Sequence, residues 1–340
     1  GKSRFSAMSI GGDTVIIRIQ GRQVVTSESK ETRRDQKARV VIDHMMVGLP
    51  KGETSEADAA RVSSTQALND GVDIPQPNSI CGGSYEDFDE VQCYRLSDPK
   101  KLERTRPVAR ILTASGTACS AFRVGQGNFM LADTQCIANQ ADLSSSEIWF
   151  NYQTDDCFTT ATSSIVKVNG DQLLASSTSL DYSLFTVDDF NKIAEFGWLG
   201  LETRSAVVGE EIYIAHHALY STKKLSIDSD MNQGGVCRVD SANEDGVIAN
   251  THIGYYCDTW WGADGAPVIA ESSNKVLALH SLEGCPNRGV KMSLIWPEIA
   301  SFFGGVVPGG DDVDVNQPPV ASFGASACDR MSCSMNGSAS

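Results

Sequence analysis

No apolar run in these 340 residues reaches the eighteen or so positions that a membrane-spanning helix requires. Basic charge is scarce: 28 Lys and Arg stand against 43 Asp and Glu, giving a formal net charge of −15. Such a surface repels phosphate backbones, which argues against nucleic acid as a partner. The densest basic stretch, 100–110, is interrupted by Glu103 and reads as a solvated loop. The ten cysteines form no CxxC pair, and none stands beside histidine at zinc-finger spacing, so disulfides are expected and no metal site is. Disulfides place the chain in an oxidising compartment, secreted, extracellular or at the cell surface. Histidine is also sparse. The five are His44, His216, His217, His252 and His280, and none falls between Cys119 and Asp181.

What is present is β-type texture. Thr14–Gln20 and Arg39–Asp43 read as strands of a small N-terminal β unit, followed by charged, polar stretches that end near Pro75 and Pro77. The chain opens on Gly1 without methionine, which reads as a start further upstream, where a targeting segment would lie. From Cys81 to about Gly305, short Val/Ile/aromatic runs recur with turn signals between them. They are Ala109–Leu112, Ser120–Val124, Phe129–Ala132, Glu147–Tyr152, Ser164–Val168, Tyr182–Val187, Glu211–Ala215, Gly246–Ile248, Pro267–Ala270 and Val276–Leu279. That spacing argues for an all-β barrel or sandwich. Ile295–Phe303 suits a short terminal helix. Residues 306–317 have linker composition, and 318–340 open a further unit containing Cys328 and Cys333.

Three segments carry the chemistry. One runs Gly254-Tyr-Tyr-Cys-Asp-Thr-Trp-Trp-Gly-Ala-Asp-Gly-Ala-Pro-Val268, another Gly116-Thr-Ala-Cys-Ser120 followed by Phe129-Met-Leu-Ala-Asp-Thr-Gln-Cys136, and the third Leu180-Asp-Tyr-Ser-Leu-Phe185. In this order they resemble the trypsin-like serine proteases, and within them the lysyl endopeptidase group, over residues 81–305. The resemblance implies two six-stranded antiparallel β-barrels of chymotrypsin type. Residues 1–80 look like a propeptide-like segment and linker, and 318–340 like the start of a PKD domain, an immunoglobulin-like β-sandwich.

In that family a general-base histidine immediately precedes the cysteine of the second segment; here the position holds Gln135. The nucleophilic serine stands between a glycine two residues before it and one directly after; here Asp264 occupies it, between Gly262 and Gly265. The orienting aspartate remains as Asp181. A glutamine amide has no useful basicity near neutral pH, and an acyl group transferred to Asp264 would form a mixed anhydride, ill suited to peptide cleavage. Triad members act as a unit, so losing base and nucleophile together costs roughly 10⁶ in turnover. The chain is therefore expected not to be an enzyme and to need no cofactor.

For the altered site, two arrangements follow from the sequence. In one, the Asp264 carboxylate folds toward the N–H groups of Gly262 and Asp264, the oxyanion-hole positions, while Gln135 bridges Asp264 and Asp181. In the other, all three side chains point into solvent. Trp260 and Trp261, with Asp258, are candidate binding residues: the indoles plug the first specificity pocket, form an aromatic platform, or belong to the core. By resemblance, Cys119 pairs with Cys136, Cys93 with Cys157 and Cys81 with Cys285. Elimination and proximity then leave Cys237–Cys257 and Cys328–Cys333.

The leading expectation is a secreted pseudoprotease that binds a protein, extracellular-matrix or cell-surface partner, or copies of itself. Two alternatives involve catalysis. One is a hydrolase using Asp181 and Asp264 as an acid/base pair, or with Asp133 as ligands of a divalent cation. The other is an endopeptidase of unconventional mechanism.

Overall fold

In a computed structural model, residues 79–83 and 86–311 are described, together with the strands Ser322–Cys328 and Cys333–Ser338. The expected strands at 14–20 and 39–43 lie outside the described residues. Fourteen strands build the main body. The first six after β1 (Phe88–Glu90) are β2 (Val108–Leu112), β3 (Ala118–Arg123), β4 (Met130–Ala132), β5 (Glu147–Phe150), β6 (Val166–Ser177) and β7 (Tyr182–Val187). They close into an antiparallel barrel in the order β2-β3-β4-β7-β6-β5. Alternation explains its filling. Ala109, Ile111, Ile148, Phe150, Val168 and Phe185 point inward and are buried together, while Val108, Phe122, Leu131 and Leu184 face the other way into a second cluster.

The second sheet comprises β8 (Ile212–His216), β9 (Lys224–Ser226), β10 (Ser241–Glu244), β11 (His252–Tyr255), β12 (Pro267–Ala270), β13 (Lys275–Leu282) and β14 (Asn287–Lys291), with β1 at one edge. Its order is β1-β9-β8-β12-β13-β14-β11-β10, eight strands where the family resemblance implied six. Residues leading into β10 turn back to β8: Ile212 N donates to Cys237 O at 3.1 Å and Val239 N to Glu210 O at 2.9 Å. The sheet thus rolls on itself. Tyr213, Ala215, Leu225 and Leu279 meet the outward-facing residues of the first barrel, so strands such as β3 and β8 are buried at every position. A strand covered on both faces reads as a continuous apolar run instead of an alternating one.

The terminal helix occupies Met292–Ile299, three residues earlier than its sequence signal, with a 3-10 turn at Ala300–Phe303. Ile295 and Ile299, one turn apart, share the face that packs between the barrels. Beyond it, residues 306–311 lie along the chain: Leu201 N donates to Pro308 O at 2.9 Å, and Arg104 Nη1 to Asp311 Oδ1 at 2.7 Å. The disulfides Cys81–Cys285, Cys93–Cys157, Cys119–Cys136 and Cys237–Cys257 form as expected. Strands β15 (Ser322–Cys328) and β16 (Cys333–Ser338) pair antiparallel with Cys328 opposite Cys333 in backbone register; their side chains, and so that bridge, lie outside the described residues.

Candidate active site

The turn after β4, the turn before β7 and the loop between β11 and β12 converge between the two barrels. Asp181 sits in the second of these with a left-handed backbone (φ 48°), a conformation aspartate tolerates. Its Oδ1 accepts hydrogen bonds from the backbone N–H of Thr134 (3.2 Å) and from the Thr134 hydroxyl. Asp181 therefore tethers the turn that carries Gln135. The Asp264 turn is held from both sides: Ser120 N donates to Asp264 O at 2.9 Å, Ser120 Oγ to Gly262 O at 2.8 Å, and Gly265 N to His280 O at 2.8 Å. Gly262 (φ 97°) and Gly265 (φ 84°) supply the left-handed bends. Gly265 is doubly required, since a Cβ there would meet Ser120 O at 2.3 Å.

The Gln135 amide does not bridge the carboxylates. Its Nε2 donates to Ser281 O at 3.1 Å. Ser281 lies where the β13–β14 register shifts, between His280 and Leu282. A bulge leaves a residue out of the ladder, so this carbonyl is open to an amide from across the cleft. Nor does Asp264 fold into the oxyanion-hole position. Among the described residues none donates to its carboxylate, and the N–H groups of Gly262 and Asp264 donate to none. Asp264 is half-buried, and burial first, then Glu283, then Asp181, pushes its pKa up to about 7. Asp133 is fully buried; its Oδ1 accepts from Cys136 N at 3.2 Å, and its Oδ2 has no partner. Burial, then Asp264, then Asp181 push it well above the usual carboxylate range. Neighbouring carboxylates thus add to burial in disfavouring ionisation of Asp264 and Asp133.

An imidazole and an alcohol do meet beside this group, which the sequence did not foretell. His252 Nε2 lies 3.1 Å from Ser281 Oγ, with Thr251 Oγ1 2.9 Å from Nδ1. Both His252 and Ser281 are only 1% exposed, so the hydroxyl offers no path to an acyl group. The pair joins strands β11 and β13 and is a cross-strand contact between residues 29 apart, invisible to motif spacing. Burial holds His252 down to about 4 and His280 to about 3, so both rings are neutral. His280 Nδ1 meets the Tyr255 hydroxyl at 2.6 Å.

Both oxygens of Asp258 are engaged by backbone: Oδ1 accepts from Cys81 N at 2.7 Å and Oδ2 from Asp87 N at 3.0 Å. It anchors the segment entering the barrels. Trp260 packs on Ile80, Phe88 and Ala218, with its indole N–H buried and unpartnered among the described residues. Trp261 crosses it edge-on at 6.2 Å and is 39% exposed. Cys119, Asp133 and Cys136 come close enough to suggest a metal site, but the two sulfurs are joined in a disulfide and offer no thiolate.

A closed antiparallel barrel, a rolled second sheet and loops converging between them define the trypsin-like serine-protease fold. Residues 89–282 match the family "Lysyl endopeptidase, C-terminal domain", and the chain belongs to that family. It is similar to "Secreted RxLR effector protein 73" of Plasmopara viticola, 26% identical over 249 residues, which are 71% of this chain. The chain spans 60% of that relative's length. Among solved structures it resembles a Glu endopeptidase in complex with MPD, at 14% identity and TM-score 0.46, covering 66% of this chain and 99% of that one. It also resembles the serine endoprotease from Yersinia pestis, at 10% identity and TM-score 0.42, covering 59% and 64%.

Proposed function

We propose that this chain is a secreted pseudoprotease, a binding or assembly protein on a serine-protease scaffold. The observation that carries this reading is the chemistry at two positions. An amide bonded to a strand carbonyl stands where the family's base would be, and a carboxyl stands where its nucleophile would be. Neither takes a proton from an alcohol nor forms an acyl-enzyme suited to peptide hydrolysis. The four disulfides among the described residues agree with an oxidising, extracellular setting. Similarity to a protein called a secreted effector points the same way. The N-terminal segment is read as propeptide-like, and the hairpin of β15 and β16 as the opening of a PKD-like sandwich. Turnover of casein and of lysyl and arginyl esters tests the reading. It predicts rates at the level of an Asp181→Ala variant, whereas turnover that depends on Asp181 would overturn it.

A second reading draws on the coupled carboxyls. Asp264, raised to about 7, and Asp133, raised by burial and by the Asp264 charge, form a pair of carboxyls whose ionisation is opposed by their surroundings. Such sets serve as acid/base pairs in hydrolases. A bell-shaped pH–rate profile abolished by Asp264→Asn would favour this reading over the first.

A further inference from the structure

Away from the carboxyl group, on the outward face of the first barrel, the Arg110 side chain has aromatic rings but no acceptor as partners among the described residues. Arg110 stands opposite Trp149 in the β2–β5 ladder, and Trp149 opposite Lys167 in the β5–β6 ladder. The Arg110 guanidinium carbon lies 4.8 Å from the Trp149 ring centre and 5.2 Å from that of Tyr152; Lys167 Nζ is 3.9 Å from the Trp149 ring. Arg104 and Arg123 differ from Arg110 in having carboxylate or carbonyl partners, although the Nε of each is likewise buried without a hydrogen-bond acceptor among the described residues. Arg104 meets Asp311 and Glu103, and Arg123 donates to the carbonyls of Ile193, Ala194 and Gln126. Arg110 makes no hydrogen bond or ion pair with any described residue, and its Nε is buried without an acceptor. The Tyr152 hydroxyl likewise has no partner among the described residues. Glu147, on the strand that carries Trp149, accepts the indole N–H at 2.7 Å. Ring faces compensate a desolvated guanidinium only in part; an oxyanion with two adjacent acceptors completes its fork.

The cluster is joined to the candidate active site. Tyr152 lies parallel to the His217 ring, with centroids 5.9 Å apart. His217 N donates to Ser120 Oγ at 3.0 Å, and that hydroxyl donates to Gly262 O at 2.8 Å. We propose that Arg110 and the Tyr152 hydroxyl form a subsite for a side-chain carboxylate on an extended acidic polypeptide segment, with Trp149 and Tyr152 flanking its methylene groups. The aromatic walls favour a carboxylate carried on an aliphatic stem over a free inorganic anion, and Glu147 close by disfavours a doubly charged one. The subsite goes beyond the pseudoprotease reading and stands whether or not residues 135 and 264 support turnover.

Calorimetric titration of the full chain tests it, using a short blocked peptide rich in glutamate, its glutamine counterpart, and sodium phosphate. The glutamate peptide is expected to bind saturably, and the glutamine peptide roughly tenfold more weakly or not at all. Arg110→Gln is expected to erase that difference, Tyr152→Phe to weaken glutamate-peptide binding about threefold, and Lys192→Gln, an exposed cation elsewhere, to change nothing. If Arg110→Gln does not fold, Tyr152→Phe decides. Equal affinity for the two peptides, binding of phosphate without the glutamate peptide, or wild-type affinity in both Arg110→Gln and Tyr152→Phe would each overturn the proposal.

Discussion

At position 264 an acid stands in a turn between two left-handed glycines, and its surroundings oppose its ionisation. Burial first, then Glu283 and Asp181, raise its pKa from 3.8 to about 7 in the folded chain. Between those values the folded state keeps a proton that the unfolded state has lost. Stability is therefore greatest below the lower value and falls as pH rises through the window. Denaturant unfolding from pH 4 to pH 8 is expected to show wild type losing about 1–3 kcal/mol more than Asp264→Asn; parallel profiles would show that Asp264 titrates normally. Asp133, raised in the same direction, adds to the slope and keeps part of it in the variant. The sequence singled out Gln135, Asp181 and Asp264 through a neighbouring cysteine and glycines, and the structure brings their three turns together between the barrels. Their partners were not legible in the sequence. The Ser281 carbonyl that receives Gln135 comes from a strand 146 residues on, and only the bulge in β13 frees it. Asp258 was legible as a candidate, but its engagement with Cys81 and Asp87 depends on chain closure over more than 170 residues.

Among elements, the strands that periodicity revealed are those rich in Val, Ile and aromatics, such as β2, β5, β7, β8 and β12. Those it missed have polar or glycine-bearing sequences: Ser-Ala-Asn-Glu in β10, His-Ile-Gly-Tyr in β11 and Asn-Arg-Gly-Val-Lys in β14. They are strands because neighbours in the sheet complete their ladders, a cause that lies outside any local window. The reverse error is Gly246–Ile248, which has β-type residues but lies in a bend where Val247 is 75% exposed. With no neighbouring strand, propensity alone builds nothing. The loop bearing Asp264 depends instead on backbone conformation. Gly265→Ala combines a left-handed φ with a Cβ placed at 2.3 Å from Ser120 O, and is expected to cost about 3 kcal/mol or more. Thermal unfolding checks this, and an unchanged midpoint would mean the loop re-forms without the Ser120 contacts.

At the scale of the molecule, the described residues draw stability from barrel packing, four bridges and the segment that follows the terminal helix. Composition marked 306–317 as a linker, yet 306–311 adds backbone bonds to Trp198 and Leu201 and a low-exposure ion pair between Arg104 and Asp311. Asp311→Ala leaves Arg104 with Glu103 alone and is expected to lower unfolding free energy by about 2–4 kcal/mol; a change within error would show that the segment is not anchored there. None of these supports passes through the side chains of residues 135 or 264, so the proposed loss of the triad leaves them in place.

For the same reason the chemistry is expected to be separable from the scaffold. Asp181 Oδ2 accepts no hydrogen bond among the described residues, leaving an oxygen for an imidazole placed at 135. Labelling with a fluorophosphonate, followed by mapping of the modified residue, tests the central claim most directly. The folded protein is predicted to remain unlabelled, and the Gln135→His, Asp264→Ser double variant to acquire label at residue 264. Stoichiometric labelling of the unaltered chain at any serine of the cleft, Ser281 included, would contradict it.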